Sequence, residues 1–307
     1  MTSHPDQAFV AYHPSYTLPL PDNHRVPISK YNLLPEQLRY RGILSAMDFF
    51  TPGLVSPEIL ARAHQSDYLN RALRLELSTK EARRIGYPYN AYLIDRERRI
   101  VQGTITGAEI ALKTGLSFNI AGGTHHAGSH WGEGFCLFND VATAALFLQD
   151  HHLVQNILII DLDVHQGNGT AEILKDEPHI FTFSVHGKNN FPFRKEKSDL
   201  DIGLEDHTDG KVYLKILEKN IAYLFKHLQP DFVFYLAGAD VLDKDKLGRL
   251  NLTKEDCKDR DRLVFQHCKD YEVPIHVGTA GGYCKRVGDT VDVHSQTFEE
   301  GINTLWY

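Results

Sequence analysis

Residues Asn156 to Gly169 read NILIIDLDVHQGNG. Four apolar, mostly β-branched residues, Ile157 to Ile160, give way to the alternation Asp161-Leu162-Asp163-Val164-His165. In a strand, successive side chains point to opposite faces, so Asp161, Asp163 and His165 share one face while Leu162 and Val164 share the other. Burying two carboxylates and an imidazole at a strand end is costly unless something pairs with them. A divalent cation does so directly. The competing reading, aspartates that cap the following helix, needs only one of them.

Similar short apolar runs recur along the chain. SFNIA (Ser117 to Ala121) leads into Gly122-Gly123, IFTFS (Ile180 to Ser184) into Val185-His186-Gly187, FVFYL (Phe232 to Leu236) into Ala237-Gly238-Ala239-Asp240, and Ile275 to Gly278 into Thr279-Ala280-Gly281-Gly282-Tyr283. Runs of this kind fit parallel strands covered on both faces. Between them lie helical stripes such as Ile216, Leu217, Ile221, Leu224, Phe225 and Leu228. Helix alternating with strand predicts a doubly wound, mostly parallel α/β sheet flanked by helices. Ligands in such sheets bind beyond the carboxyl ends of the strands, and every unusual polar cluster of this chain falls there.

The first hundred residues are less regular. Prolines 14, 19, 21 and 27 punctuate an opening that reads as an ordered loop, with helices expected near Tyr31 to Ser45 and Pro57 to Leu75. No linker, repeat or low-complexity segment is visible, so residues 1–307 are read as one domain whose first hundred residues build pocket walls. A balance of 33 basic against 40 acidic residues, net charge −7, argues against a nucleic-acid surface. The opening MTSHPDQAFVAYHPSY has neither a signal peptide's basic start nor its apolar core, and no run is long enough for a membrane span. The four cysteines, Cys136, Cys257, Cys268 and Cys284, lack CxxC spacing and read as reduced thiols, which makes the cytoplasm the expected compartment.

Asp163, His165 and Asp240 supply the three protein ligands typical of a hydrolytic zinc site. Two carboxylates lower the metal's effective charge, which leaves work for a separate general base. His125 and His126, after the Gly-Gly turn, are the candidates. Asp161 lies on the correct face to hold His125 in one tautomer and raise its basicity, and Asn168 can orient His126 without adding charge. Tyr283 can donate to a developing oxyanion. Asp240, Asp243 and Asp245 mimic the start of a calcium loop but fail the EF-hand pattern, and Asp243 and Asp245 are read as solvated.

With these residues in view, GGTHHAGSHWGEGFCLFND (Gly122 to Asp140), IIDLDVHQGNGT (Ile159 to Thr170), Ala237 to Asp240 and Thr279 to Tyr283 together resemble the zinc-dependent histone deacetylase superfamily with its arginase-like fold. The resemblance begins at YHPSYTLPLPDNHRVPISKY (Tyr12 to Tyr31) and covers nearly the whole chain. HQGNG and FSVHGKNNFPFRKEKSDLDIGL look most like class IV and its bacterial relatives. Asn168 stands where several classes carry Asp, and Ala280 replaces the first glycine of the usual triple-Gly-Tyr. The resemblance implies that Asp163, His165 and Asp240 bind zinc, that His125 and His126 handle protons and that Tyr283 polarises the scissile carbonyl. It further implies that Gly134, Phe135 and Phe191 line a narrow acyl-lysine channel and that Arg25 lies near an acyl-product pocket. A potassium ion is implied near Asp161, Asp163, His165, Ser184 and Val185, held mostly by backbone oxygens.

The expected reaction is hydrolysis of acetyl or longer acyl groups from lysine side chains of proteins. The same ligands would serve a small acyl-amine such as an acetylated polyamine, since they see only the amide. The rim segments Ser78 to Tyr89 and Arg194 to Asp201 carry charges of both signs and leave that choice open. A non-catalytic acyl-lysine reader and a binuclear ureohydrolase are the remaining alternatives, the latter lacking an aspartate at position 168. No nucleic-acid or membrane partner is expected, and the oligomeric state is not legible.

Overall fold

A computed structural model describes residues 7–306; residues 1–6, the start of the opening segment discussed above, and Tyr307 lie outside it. In chain order the elements are β1 (Val10–Ala11), α1 (Lys30–Tyr40), β2 (Phe49–Phe50), α2 (Pro57–Leu60), α3 (Ser66–Leu73), α4 (Thr79–Ile85) and α5 (Ala91–Thr114). They continue with β3 (Leu116–Asn119), α6 (Asp140–Asp150), β4 (Ile157–Asp161), α7 (Asn168–Leu174), β5 (Ile180–Gly187) and β6 (Leu200–Leu204). The last are α8 (Gly210–Leu228), β7 (Phe232–Leu236), α9 (Lys254–Asp270), β8 (Ile275–Gly278) and α10 (Val287–Trp306).

The strands form one eight-stranded sheet in the order β2-β1-β3-β8-β7-β4-β5-β6, and every pairing is parallel. The expected alternation in β4 is visible in the packing. Leu158, Ile160, Leu162 and Val164 enter the core shared with Leu217, Ile221, Val264 and Phe298 of α8, α9 and α10. Ile157 and Ile159 enter the opposite core, with Val101, Ile105 and Ala108 of α5 and Val141 and Ala145 of α6. Helices therefore cover both faces, which is why the strands read as continuous apolar runs.

Local signals set the helix ends. Asn90, Asn139 and Asp209 cap the backbone N–H groups at the starts of α5, α6 and α8, while Thr253 and Asp256 form a reciprocal capping box at α9. Gly115, at φ +89°, ends α5 in the left-handed conformation that glycine adopts without a Cβ penalty.

Three expectations need correction. The opening is not loop alone: Val10–Ala11 and Phe49–Phe50 extend the sheet at its β3 edge. Two-residue strands are too short for any periodicity to register. The helix expected over Tyr31 to Ser45 ends at Tyr40, and the one over Pro57 to Leu75 is two helices, α2 and α3, broken between Leu60 and Ser66. Among the described residues, no helix is long and apolar enough to cross a membrane.

Candidate active site

Because all strands run parallel, their carboxyl ends share one rim, and the four central neighbours β3, β8, β7 and β4 each deliver reactive side chains to it. The turn after β3 presents His125 and His126. It is held by Asp140, whose carboxylate accepts from the Gly123 and Thr124 N–H groups (3.0 and 2.7 Å) and from the Thr104 and Thr124 hydroxyls (2.6 and 2.8 Å). The start of α7 then closes on this turn, with Thr170 N–H bonded to the His125 carbonyl at 3.1 Å. That approach explains two glycines of HQGNG. A Cβ on Gly169 would overlap the Ala127 carbonyl, and one on Gly167 would overlap the Asp161 carboxylate.

Asp163, His165 and Asp240 converge, with one ligand atom of each within 4.8 Å of the others and all three side chains buried. Nδ1 of His165 lies 2.9 Å from Oδ1 of Asp163 and 3.2 Å from Oδ2 of Asp240, so Nδ1 is the nitrogen turned towards the carboxylates. Apart from that approach of His165, Oδ2 of Asp240 meets no donor although it is fully buried. Burial presses the His165 imidazole towards its neutral form, but the two carboxylates outweigh it and lift its pKa to about 10. Burial and the neighbouring Asp163 push Asp240 up to about 7. Two buried acids around one imidazole thus call for a cation, and one nitrogen with two carboxylate oxygens is a donor set suited to zinc. The neighbouring backbone leaves the oxygens room: a Cβ on Gly281 would overlap Oδ2 of Asp240, and one on Gly238 would stand 2.7 Å from Oδ2 of Asp163. The residues fit a single divalent ion, and no second such group occurs among the described residues.

The two histidines are paired differently. His125 Nδ1 sits 2.7 Å from Oδ2 of Asp161. Burial lowers its pKa, but Asp161 overrides this and raises it to about 9. His126 Nδ1 sits 2.7 Å from Oδ1 of Asn168, whose Nδ2 donates to Glu133 at 2.6 Å. Since Asn168 turns its oxygen to His126, the imidazole donates from Nδ1 and keeps a lone pair on Nε2. Burial, then His125 and His165, hold its pKa well below the ordinary value. The chain ends at the surface, where Arg84 pairs with Glu133 at 2.6 Å.

Tyr283 approaches from the end of β8, its ring 6.1 Å from that of His165 and 5.9 Å from that of Phe135. Burial, reinforced by Asp163 and Asp240, pushes the phenol well above its usual range, so the hydroxyl keeps its proton. Asp245 is not solvated as expected, whereas Asp243 is exposed. The Asp245 carboxylate accepts from the backbone N–H of Tyr283 at 2.6 Å and from those of Leu247 and Gly248 at 2.8 and 3.0 Å, fixing the tyrosine loop against the loop after β7. On the other side, the buried Lys30 ammonium donates to the Ala280 carbonyl at 3.1 Å. Ala280, the residue standing in for glycine, takes φ +55°.

A cavity of about 930 Å³ leads from solvent to His126, His165 and Tyr283. Gly134, Phe135 and Phe191 line it, and the Phe191 ring stands edge-on to His126 at 5.0 Å. Behind the histidines lies a chamber of only about 30 Å³, bounded by Tyr31, Tyr87, Arg96, Gly123 and Cys136. Arg25, expected near this inner end, is instead exposed at the outer mouth. The buried guanidinium at the inner end belongs to Arg96, which donates to the Tyr16 carbonyl at 2.8 Å and pairs with Glu97. The Cys136 thiol is buried, and burial pushes its pKa well above the ordinary value, away from the thiolate a nucleophile needs. Ser184 and Val185 follow Asp161 across the β4–β5 pairing, with Asp161 in register with Ser184.

Sequence reading missed one further support. Arg260 of α9, completely buried, donates to the Gly238 carbonyl at 2.6 Å, lies 3.5 Å from the Leu162 carbonyl, and pairs with Asp261. It thereby ties the backbone ahead of Asp163 to that ahead of Asp240. Asp261 also takes the Tyr235 and Thr297 hydroxyls.

A model of the histone deacetylase domain matches residues 24–297. An uncharacterized protein of Picosynechococcus sp. is 43% identical over 286 residues, covering 93% of this chain and 95% of its own length. Histone deacetylase 2 of Arabidopsis thaliana is 33% identical over 191 residues (61% of this chain, 49% of its own), and human histone deacetylase 1 is 28% identical over 286 residues (86% and 57%). The chain thus spans about half the length of these two deacetylases. Among solved structures, an HDAC homolog from Aquifex aeolicus superposes with a TM-score of 0.83 at 22% identity, over 96% of this chain and 84% of its own. An HDAC homolog complexed with SAHA gives a TM-score of 0.83 at 23% identity, with the same coverage. At such identities the structural likeness speaks for the fold.

Proposed function

This chain belongs to the histone deacetylase domain family, and we propose that it is a zinc-dependent amidohydrolase that removes acetyl groups from lysine side chains of proteins. The observation that carries the reading is a histidine pair, one ring bonded to the Asp161 carboxylate and the other to the Asn168 amide oxygen, beside a buried Asp-His-Asp ligand set. Zinc held by Asp163, His165 and Asp240 would supply Lewis-acid polarisation of the amide carbonyl and a lowered pKa for the attacking water. His126, neutral with Nε2 free, accepts a proton from the attacking water and passes it to the amide nitrogen as the C–N bond breaks, so that lysine leaves as the neutral amine and the acetyl group as the acid. His125, kept charged by Asp161, contributes fixed positive charge beside the reacting carbonyl. Tyr283 donates its hydroxyl proton as a hydrogen bond to the carbonyl oxygen as negative charge develops there. Phe135 and Phe191 flank the aliphatic stem of the lysine and exclude water from the amide.

The inner chamber supports a short acyl group. Its 30 Å³ has room for about two water molecules, enough for an acetyl methyl and too little for a fatty chain. The single ligand group found among the described residues speaks for one metal ion rather than the pair a ureohydrolase needs. The reading includes a structural potassium ion near Asp161, Asp163, His165, Ser184 and Val185, and a cytoplasmic setting in which the four buried, unpaired cysteines stay reduced. Turnover of acetyl-lysine and myristoyl-lysine peptides and of acetylated polyamines by one purified sample tests it. Preference for the acetyl-lysine peptide is expected; a polyamine or the myristoyl peptide turned over faster would overturn the substrate assignment.

A further inference from the structure

The mouth of the channel carries a charge opposite to that of the whole molecule. The chain has a net charge of −7, yet the outer cavity wall presents Arg25, Arg83, Arg84, Lys246 and Arg249 against a single carboxylate, Glu133. Glu133 is fully engaged, with one oxygen on Arg84 at 2.6 Å and the other on Asn168 at 2.6 Å. Arg249 is paired with Asp206 at 3.1 Å. Arg25, Arg83 and Lys246 are exposed and form no ion pair with any described residue.

The mixed charge of the two rim segments resolves in the same direction. Glu81 is folded back onto the Ser78 N–H and onto Arg71, both at 2.8 Å. Asp199 holds Thr182, and Asp201 holds the Ser198 N–H at 2.8 Å and Gln166 at 2.7 Å. Lys195 bends onto the Asn190 and Pro192 carbonyls and is not displayed at the mouth. Asp22, near Arg25 in sequence, is exposed but stands outside the cavity wall. Glu81, Asp199 and Asp201 are thus spent on internal bonds and the exposed Glu196 stands outside the cavity wall, while Arg83 and Arg84 face the opening.

We propose that this mouth selects acetyl-lysines that lie in an acidic peptide segment. The inference rests on the deacetylase reading and names the substrate class for that same site. The free cations come from three separate stretches around the opening: the loop before α1, the α4 helix and the loop after β7. No single small anion meets all of them, whereas an extended peptide crossing the mouth meets them in turn. A polycation, whether a basic peptide or a polyamine, would place its remaining charges against Arg25, Arg83 and Lys246. Each exposed pair contributes only a few-fold, and three acting together amount to roughly tenfold in kcat/KM at low salt. Screening beyond about 8 Å at physiological ionic strength shrinks that preference.

Three peptides with one central acetyl-lysine and acidic, neutral or basic flanks test this, with kcat/KM measured at low and high salt. The acidic peptide is expected to exceed the basic one by about tenfold at low salt, mostly through KM, and the ratio should contract as salt is added. The double change Arg83→Glu/Lys246→Glu should reverse the ratio. Lys226→Glu on α8, away from the mouth, should leave it in place. An acidic-to-basic ratio within about twofold at low salt, a preference for the basic peptide, or an equal response to Lys226→Glu would overturn the proposal. No turnover of the neutral peptide would instead overturn the deacetylase reading beneath it.

Discussion

Converting Asn168→Asp tests the division of labour within the histidine pair. Asn168 accepts from His126 Nδ1 at 2.7 Å and donates to Glu133 at 2.6 Å. A carboxylate in its place would face the Glu133 carboxylate at that same separation, and two carboxylates so close do not both ionise. In the single variant the new group therefore holds a shared proton and acts on His126 weakly. Removing the competing charge in Asn168→Asp/Glu133→Gln leaves it ionised, with the glutamine amide as donor. An opposite charge at hydrogen-bond distance raises an imidazole pKa by about 1 to 3 units, or about 1.4 to 4 kcal/mol. His126 works in its neutral form, so raising its pKa moves the acidic limb of kcat/KM to higher pH by the same amount. The assay is the pH profile of deacetylation of a neutral acetyl-lysine peptide for wild type and both variants. A double variant that turns over with its acidic limb unmoved would remove His126 as the proton acceptor. A single variant that shifts as far as the double would break the argument through Glu133.

Tyr283→Phe should lower kcat by on the order of 10² to 10³ with metal content and KM little changed; a near-normal rate would take Tyr283 out of the chemistry. His64 is buried and neutral, its pKa lowered by burial to about 4, bonded through Nδ1 to the Gly128 carbonyl and through Nε2 to the Asn139 N–H. The unfolded chain takes up this proton first, so the stability tied to His64 is full above about pH 6.5 and is lost as pH falls towards 4, by about 3 kcal/mol. In urea melts His64→Gln should flatten that slope, and an unchanged slope would count against the assignment. Arg260→Met leaves Asp261 buried without its guanidinium and should cost about 3 to 5 kcal/mol, of which Arg260→Met/Asp261→Leu recovers part. The single variant should also bind zinc about 10 to 100 times more weakly in equilibrium dialysis, because the Leu162 and Gly238 carbonyls lose their anchor; full affinity would refute that link.

The strand–helix alternation was legible because each central strand is buried on both faces and reads as an unbroken apolar run. The site was legible for the same reason: in a parallel sheet, polar residues at the ends of such runs share one rim. Asp161, Asp163 and His165 could be split from Leu162 and Val164 by period alone. What stayed hidden depends on contacts distant in sequence. Asp245 reads as a loop acid, and nothing local reveals that the Tyr283 backbone donates to it. LDIGL of β6 does alternate, with Leu204 buried and Asp201 and Gly203 exposed, but an edge strand gives a weaker signal than a central run. Arg260 and Asp261 sit in the heavily charged KEDCKDRDRLVFQHCKD, which reads as a solvated helix. The usable signal was position: Cys257, Arg260, Asp261, Val264, Phe265 and Cys268 follow helical spacing, placing the ion pair on the buried stripe. Arg25 lies at the mouth and Arg96 at the inner end because the resemblance transfers a residue by local pattern, whereas the inner end is built by α5.

Metal-dependent turnover of a neutral acetyl-lysine peptide tests the central claim most directly. The chelated protein should be inactive and regain full activity at one zinc per chain, while Asp240→Ala should neither retain the ion nor recover. Turnover that survives chelation, or a protein with one zinc bound that cleaves no acyl-lysine, would contradict the account.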